Sequence, residues 1–256
     1  MSWDLEPRGG AVVVRMRSNP VNCMNPGMFA DAHRAFDALD AGHPGRPIVL
    51  LGERNTFSAG LDLNEVFPLF GRGDEEAIHA WFEGFRAFIL RILVAPRFVV
   101  AAVNGHAFAG GLILACTCDQ RLVARGGARF ALNEVLVGIA FPATYLEISR
   151  HVMGPRVADA ALTGRTYDVD EAVAAGFMTR AVEPAELLDA AVQLAETITP
   201  DHADAYAHTK KVVLAPLVER LQSAAVRELD RAALRGCTSP TSRRVQQATL
   251  DRLRKK

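Results

Sequence analysis

From Phe98 to Cys118 the chain reads FVVAAVNGHAFAGGLILACTC, without a single Asp, Glu, Lys or Arg. A stretch of that length either crosses a bilayer or is enclosed on all sides by a folded protein. Asn104-Gly105 interrupts it with a turn signal, His106 is polar, and Ala109-Gly110-Gly111 makes a second loose point before Leu112-Ile113-Leu114. The expectation is therefore two buried elements joined by a loop, and no membrane span. The earlier runs Val12-Val13-Val14 and Ile48-Val49-Leu50-Leu51 are bounded by Gly, Pro or charged residues, as strands buried in α/β proteins are.

Helices are expected between these strands. Asn25-Pro26 is a helix start, with Phe36 and Leu39 further along the same element. Between Glu75 and Leu93, residues Trp81, Phe85, Phe88 and Ile92 share one face at helical spacing, a stripe read first as core. Further strands are expected at Gln120 to Ala124 and Ala128 to Leu132. From Tyr145 onward helical patterns dominate: TYLEISRHV, PRVADAALTG, DVDEAVAAG and AELLDAAVQLAETI. Thr199-Pro200-Asp201 marks a boundary, giving a core over 1–199 and a helical region over 200–256. A long helix is expected from His202 to Leu234, bent at Pro216, followed by a last helix with Val245, Leu250 and Leu253 on one arc.

Lys plus Arg and Asp plus Glu both number 29, so the formal charge is zero and no basic excess points to nucleic acid or an anionic membrane. Cys23, Cys116, Cys118 and Cys237 form no C-x-x-C pair, and MSWDLEPRGG lacks an apolar run. Both features fit a reducing cytoplasm, without metal binding or a signal peptide.

Three stretches carry candidate chemistry. FSAGLDL, residues 57 to 63, follows a strand, and its Gly60 can supply a positive φ. NGHAFAGGLILA, residues 104 to 115, places Gly110 at a helix start, where backbone N–H groups lack helical partners. In FALNEVLVGIAFP, residues 130 to 142, Glu134 is the only group that can carry a charge, among Phe130, Leu132, Val135, Leu136, Val137 and Ile139. A carboxylate in such surroundings is paired, protonated or used in chemistry. Two glycine-bearing loops with free N–H groups and a buried base would together suit an oxyanion-stabilised reaction.

In order and spacing, FSAGLDL, NGHAFAGGLILACTCD and FALNEVLVGI resemble the crotonase superfamily, the enoyl-CoA hydratase/isomerases, from about Val12 to the C-terminus. PVN at 20–22 and PDHA at 200–203 agree. The resemblance implies a spiral of β-β-α units with a C-terminal helical region, and assembly as a homotrimer or hexamer. It implies an acyl-CoA thioester as substrate, with CoA part of the substrate rather than a cofactor. Carried over position by position, it implies that the amides of Leu61 and Gly110 hold the thioester oxygen, each worth roughly 3 to 4 kcal/mol when prearranged. Ser58, Ala59, Gly60 and Asp62 would lie along the CoA groove, and Gly111 beside the thioester.

The departure from the pattern is informative. Hydratases of the family carry Glu three residues beyond the central Gly, where this chain has Ile113. An isoleucine can neither hold water nor move a proton. Hydration uses two carboxylates, whereas moving a double bond from C3 to C2 of a 3-enoyl thioester needs only one. With AGLDL, Leu-Asn-Glu at 132–134 and an apolar residue in place of the first Glu, the chain looks most like a Δ3,Δ2-enoyl-CoA isomerase. Dienoyl-CoA isomerases use an Asp eight residues after the Glu, and Pro142 stands there. Glu134 is thus expected to act as the base, its pKa raised by desolvation yet low enough for the anion to be available near neutral pH. A hydratase, or a non-catalytic acyl-CoA or RNA scaffold, are the rival readings. His106 and Asp119 are read as structural; Phe67, Phe70, Trp81 and Phe85 are candidate acyl-pocket walls; Arg54, Lys210 and Lys211 are candidate phosphate contacts.

Overall fold

The computed structural model describes residues 3–255; the extreme ends of MSWDLEPRGG and of the last helical segment lie outside the described residues. Strands Trp3–Arg8 (β1), Ala11–Met16 (β2), Cys23–Met24 (β3), Ile48–Leu51 (β4), Thr56–Ser58 (β5), Gly60–Leu61 (β6), Val99–Val103 (β7), His106–Phe108 (β8), Gln120–Ala124 (β9), Phe130–Ala131 (β10) and Arg180–Val182 (β11) form three sheets. The main sheet runs β1-β2-β4-β7-β9-β11, and two small ones run β10-β8-β5 and β3-β6. β1 is antiparallel to β2, and the other pairings are parallel. The chain visits the main sheet, then a small sheet, then a helix. β2 and β3 lead to α1 (Pro26–Gly42), β4 to β6 lead to α2 (Leu63–Arg72) and α3 (Glu75–Leu93), and β7 and β8 lead to α4 (Gly110–Cys116). This is the expected β-β-α repeat.

Apolar residues face both ways from the main sheet, which explains the unbroken runs in the sequence. Val12, Val14, Ile48, Leu50, Val99 and Ala101 join the larger core with α1, α3 and α4. Their neighbours Val13, Val49, Leu51, Val100 and Ala102 join a second core, covered by Leu187, Ala191, Val192 and Ala195 of helix α8, Leu187–Ala195. α1 starts where Asn25-Pro26 places it: the Asn25 side chain accepts from Met28 N at 3.0 Å. Such a cap is worth about 1 kcal/mol.

After β10 come α5 (Ala143–Met153), α6 (Arg156–Thr163) and α7 (Val169–Ala174), and beyond α8 come α9 (Ala203–Gln222), α10 (Ala224–Cys237) and α11 (Pro240–Leu253). The helices after residue 200 bury Leu214, Leu217, Leu221, Leu234 and Leu250 in the larger core. The single helix expected from His202 to Leu234 is corrected: Pro216 sits inside α9, and the break falls at Ser223, whose side chain caps α10 by accepting from Val226 N at 3.3 Å. The arc expected of α11 also shifts. Gln246, Thr249 and Leu250 are buried, whereas Leu253 is 50% exposed. The charge-free stretch becomes β7, β8 and α4, and among the described residues no helix is long and apolar enough to cross a membrane.

Candidate active site

Two backbone loops meet at the start of α4. Ala109, at φ 50° and ψ −121°, turns the chain out of β8 in a left-handed conformation unusual for a residue with a side chain. The turn is held by Ala109 N–H donating to Ala131 O at 2.8 Å, while Leu112 and Ile113 N–H groups donate to Ala109 O. Gly110 is the first helical residue, so its N–H has no helical acceptor. Opposite, β6 pairs with β3, and Asp62 N–H donates to Met24 O at 2.9 Å. Leu61, one residue earlier, turns its N–H to the other edge of the strand.

Two glycines allow the loops to touch. A Cβ on Gly111 would stand 2.1 Å from Ser58 O, and one on Gly60 would stand 3.0 Å from Gly110 N. Gly60 also has φ +87°. Ser58, fully buried, clips the loop by donating from Oγ to Asn22 O at 2.8 Å and accepting from Gly60 N at 3.2 Å.

The two loops form one wall of a cavity of about 210 Å³. Ala59, Leu61, Gly110, Ile113 and Glu134 all line it, so the sequence candidates from three separate stretches converge. Ser58, Gly60, Gly111 and Asp62 do not appear on the wall. Ser58, Gly60 and Gly111 shape the loops from behind, and Asp62 caps α2 by accepting from Asn64 N at 3.0 Å. The groove-lining expected of the Ser58 side chain is corrected accordingly, since it is fully buried and its hydrogen bonds go to Asn22 O and Gly60 N.

Glu134 begins a single 3-10 turn, Glu134–Val137, directly after Asn133. Glu134 is 5% exposed, and among the described residues its Oε2 has no hydrogen-bond partner. Burial pushes its pKa up from 4.5 to about 8, opposed in part by a hydrogen bond from its own backbone. The shift goes further than expected, towards the neutral acid at neutral pH. Among the described residues no arginine or lysine lines the cavity to offset the desolvation. The apolar setting differs from the one the sequence suggested, because Val135 and Leu136 are 50% and 56% exposed while Ile139 and Ile113 line the cavity. The turn is braced from behind by α11: Gln246 Nε2 donates to Gly138 O and to Cys237 O, each at 2.9 Å. A Cβ on Gly138, at φ +75°, would approach Ser242 O to 2.8 Å.

Of the four expected pocket walls only Phe85 lines the cavity; Phe67 and Phe70 are core, and Trp81 packs on Phe29 and Phe82. The wall includes Asn133, Phe82, Phe108, Phe141 and Tyr145, which sequence reasoning did not single out. Phe82 lies one turn from Phe85 on α3, the signal that could have found it. Lys210 is corrected as a phosphate contact: its Nζ is bound to Asp119 Oδ2 at 2.9 Å and Arg97 O at 3.2 Å, with its side chain 4% exposed. Arg54 and Lys211 are exposed. Asp119 accepts from Val99 N at 2.8 Å, and His106 Nδ1 accepts from Arg129 N at 3.1 Å, bonds that fit the structural roles expected of them.

This arrangement can polarise a carbonyl between two amides and present one carboxyl beside it. The chain is similar to several known proteins. A putative enoyl-CoA hydratase of Thermus thermophilus is 34% identical over 208 residues, covering 80% of this chain and 81% of that protein. The human mitochondrial Delta(3,5)-Delta(2,4)-dienoyl-CoA isomerase is 32% identical over 76% of this chain, a match spanning 62% of its own length. Human mitochondrial delta3-delta2-enoyl-CoA isomerase superposes with a TM-score of 0.87 at 25% identity, covering 100% of this chain and 99% of that one. Residues 6–250 match the Enoyl-CoA hydratase/isomerase family, and the chain belongs to that family and has the crotonase fold.

Proposed function

We propose that the protein is a Δ3,Δ2-enoyl-CoA isomerase, moving the double bond of a 3-enoyl-CoA thioester to the 2-position as in fatty acid β-oxidation. One observation carries the choice within the family: among the described residues lining the cavity Glu134 is the only Asp or Glu, and Ile113 also lines it, where a second acid would be needed. In this reading the N–H groups of Leu61 and Gly110 donate to the thioester oxygen. The Glu134 carboxylate removes a proton from C2, and the electron pair spreads through C2, C3 and C4 as a dienolate. The new carboxylic acid then returns that proton to C4, leaving the double bond between C2 and C3 and Glu134 ionised again.

Desolvation serves this cycle. A base raised to about 8 lies closer in acidity to the C2 proton than an ordinary carboxylate does, which lowers the driving-force penalty of the transfer. Its unpartnered Oε2 leaves the group free to address two carbons in turn. The reading also assigns Ala59 and Asp62 to the CoA side of the site, and the helices after residue 200 to contacts in a homotrimer, with Val212 and Val213 exposed at 58% and 59%. Pro142, which lines the cavity, supplies no second acid for dienoyl isomerisation.

Hydration is the rival reading favoured by the names of several relatives. Purified protein incubated separately with 3-enoyl-CoA and 2-enoyl-CoA decides between them, with products followed by mass and ultraviolet absorbance. Conjugation without change of mass from the 3-enoyl compound is the expected result. Gain of one water by the 2-enoyl compound, with the 3-enoyl compound untouched, would make the protein a hydratase.

A further inference from the structure

Tyr145, Phe82 and Pro142 line two spaces at once: the cavity that holds Glu134, and a small charged groove between α3 and α10. They are therefore a septum between an apolar chamber and an ionic one. On the far side, Arg227 pairs with Glu83 at 2.5 Å, and Asp230 accepts from Thr144 N and Oγ1 at 2.9 and 2.6 Å. An alkyl chain pushed through would desolvate those ions without replacing their partners.

The septum is fastened on several sides. Tyr145 Oη donates to Phe82 O at 3.3 Å, and its ring lies 4.6 Å from that of Phe85. The adjacent Thr144–Asp230 bonds tie the start of α5 to α10. Phe82 and Tyr145 are each 4% exposed, so the cavity is blind at this end.

We propose that Tyr145 sets the upper length of the acyl chain, closing the cavity so that it takes acyl groups of about eight carbons or fewer. The size follows from volume. An apolar cavity of about 150 Å³ holds the six carbons of benzene. The 210 Å³ here must also hold the thioester carbonyl between Leu61 and Gly110. The inference rests on the reading of the cavity as an acyl-CoA site, and names the substrate class within it.

The test uses saturated acyl-CoAs, which cannot isomerise, titrated calorimetrically from butanoyl to hexadecanoyl. Wild-type affinity should rise to octanoyl-CoA and fall for dodecanoyl-CoA. In Tyr145→Ala, and in Tyr145→Leu should the first not fold, the ratio of dodecanoyl to hexanoyl affinity should rise about tenfold or more. Tyr145→Phe keeps the ring and should hold that ratio within about twofold of wild type. A length limit without turnover of 3-enoyl-CoA would remove the isomerase reading and leave this inference standing. Wild-type protein that binds hexadecanoyl-CoA as tightly as octanoyl-CoA, or alanine and leucine variants with the wild-type profile, would overturn it.

Discussion

The two ends of α4 treat buried charge in opposite ways. Just past its C-terminus, Asp119 accepts from Val99 N and from Lys210, and Lys210 also donates to Arg97 O. Arg121 nearby donates to Cys118 O and Phe177 O. Each of these groups has a partner, and together they tie β7 and β9 to α9. At the N-terminal end, Glu134 has a bare oxygen in an apolar chamber. A satisfied network holds elements together; an unsatisfied buried carboxyl costs stability and, on the proposed function, is poised for proton transfer.

The contrast can be broken most forcefully at Glu134. Glu134→Gln should lower kcat for 3-enoyl-CoA isomerisation about 10³-fold while leaving the fold intact by circular dichroism. The same variant should gain stability in a definite pH window. A folded carboxyl that keeps its proton to about 8, against 4.5 when unfolded, makes the native state bind more protons between those values, so wild-type stability falls as pH rises through them. Urea melts should therefore show equal stability below pH 4.5 and an advantage of several kcal/mol for Glu134→Gln above pH 8. In wild type, kcat/KM should climb with pH and level off above about 8.

Asp119 is the counterpart. Lys210→Met leaves its carboxylate without the buried ammonium and should cost about 3 kcal/mol in urea melts, with kcat of the folded enzyme unchanged. A smaller effect is expected where α11 braces the base. Gln246→Leu removes both bonds from Nε2 and should lower kcat about tenfold through misplacement of the Glu134 turn. At the bottom of the scale, Arg8→Ala breaks an exposed pair with Asp189 and should change stability by less than about 1 kcal/mol.

Much of this was legible in the sequence for physical reasons. Main-sheet strands β2, β4 and β7 are buried on both faces, so burial writes them as apolar runs. β1 was not read because WDLEPR is an edge strand, where charges alternate with apolar residues and Pro7 is tolerated. α2 was obscured by Pro68 inside it, although Asp62 and Glu65 carry its start signal. In the site, Glu134, Leu61 and Gly110 could be found because each sits in a short stretch with its own chemical signature. Phe82 carried only its one-turn spacing from Phe85, and Tyr145 could not be found, because its place on the wall depends on how α3 and α5 pack and it looks locally like an ordinary core aromatic.

Gly111 lies so near Ser58 that no atom larger than hydrogen fits between them. Segments some fifty residues apart in the chain are thereby pressed into one piece, and neither can drift without the other. On the proposed function, the grip on the thioester carbonyl is consequently a fixed tool. New reactions on this scaffold would have to arise by exchanging the side chains around that tool, as the isoleucine at 113 illustrates, and not by reshaping the tool itself.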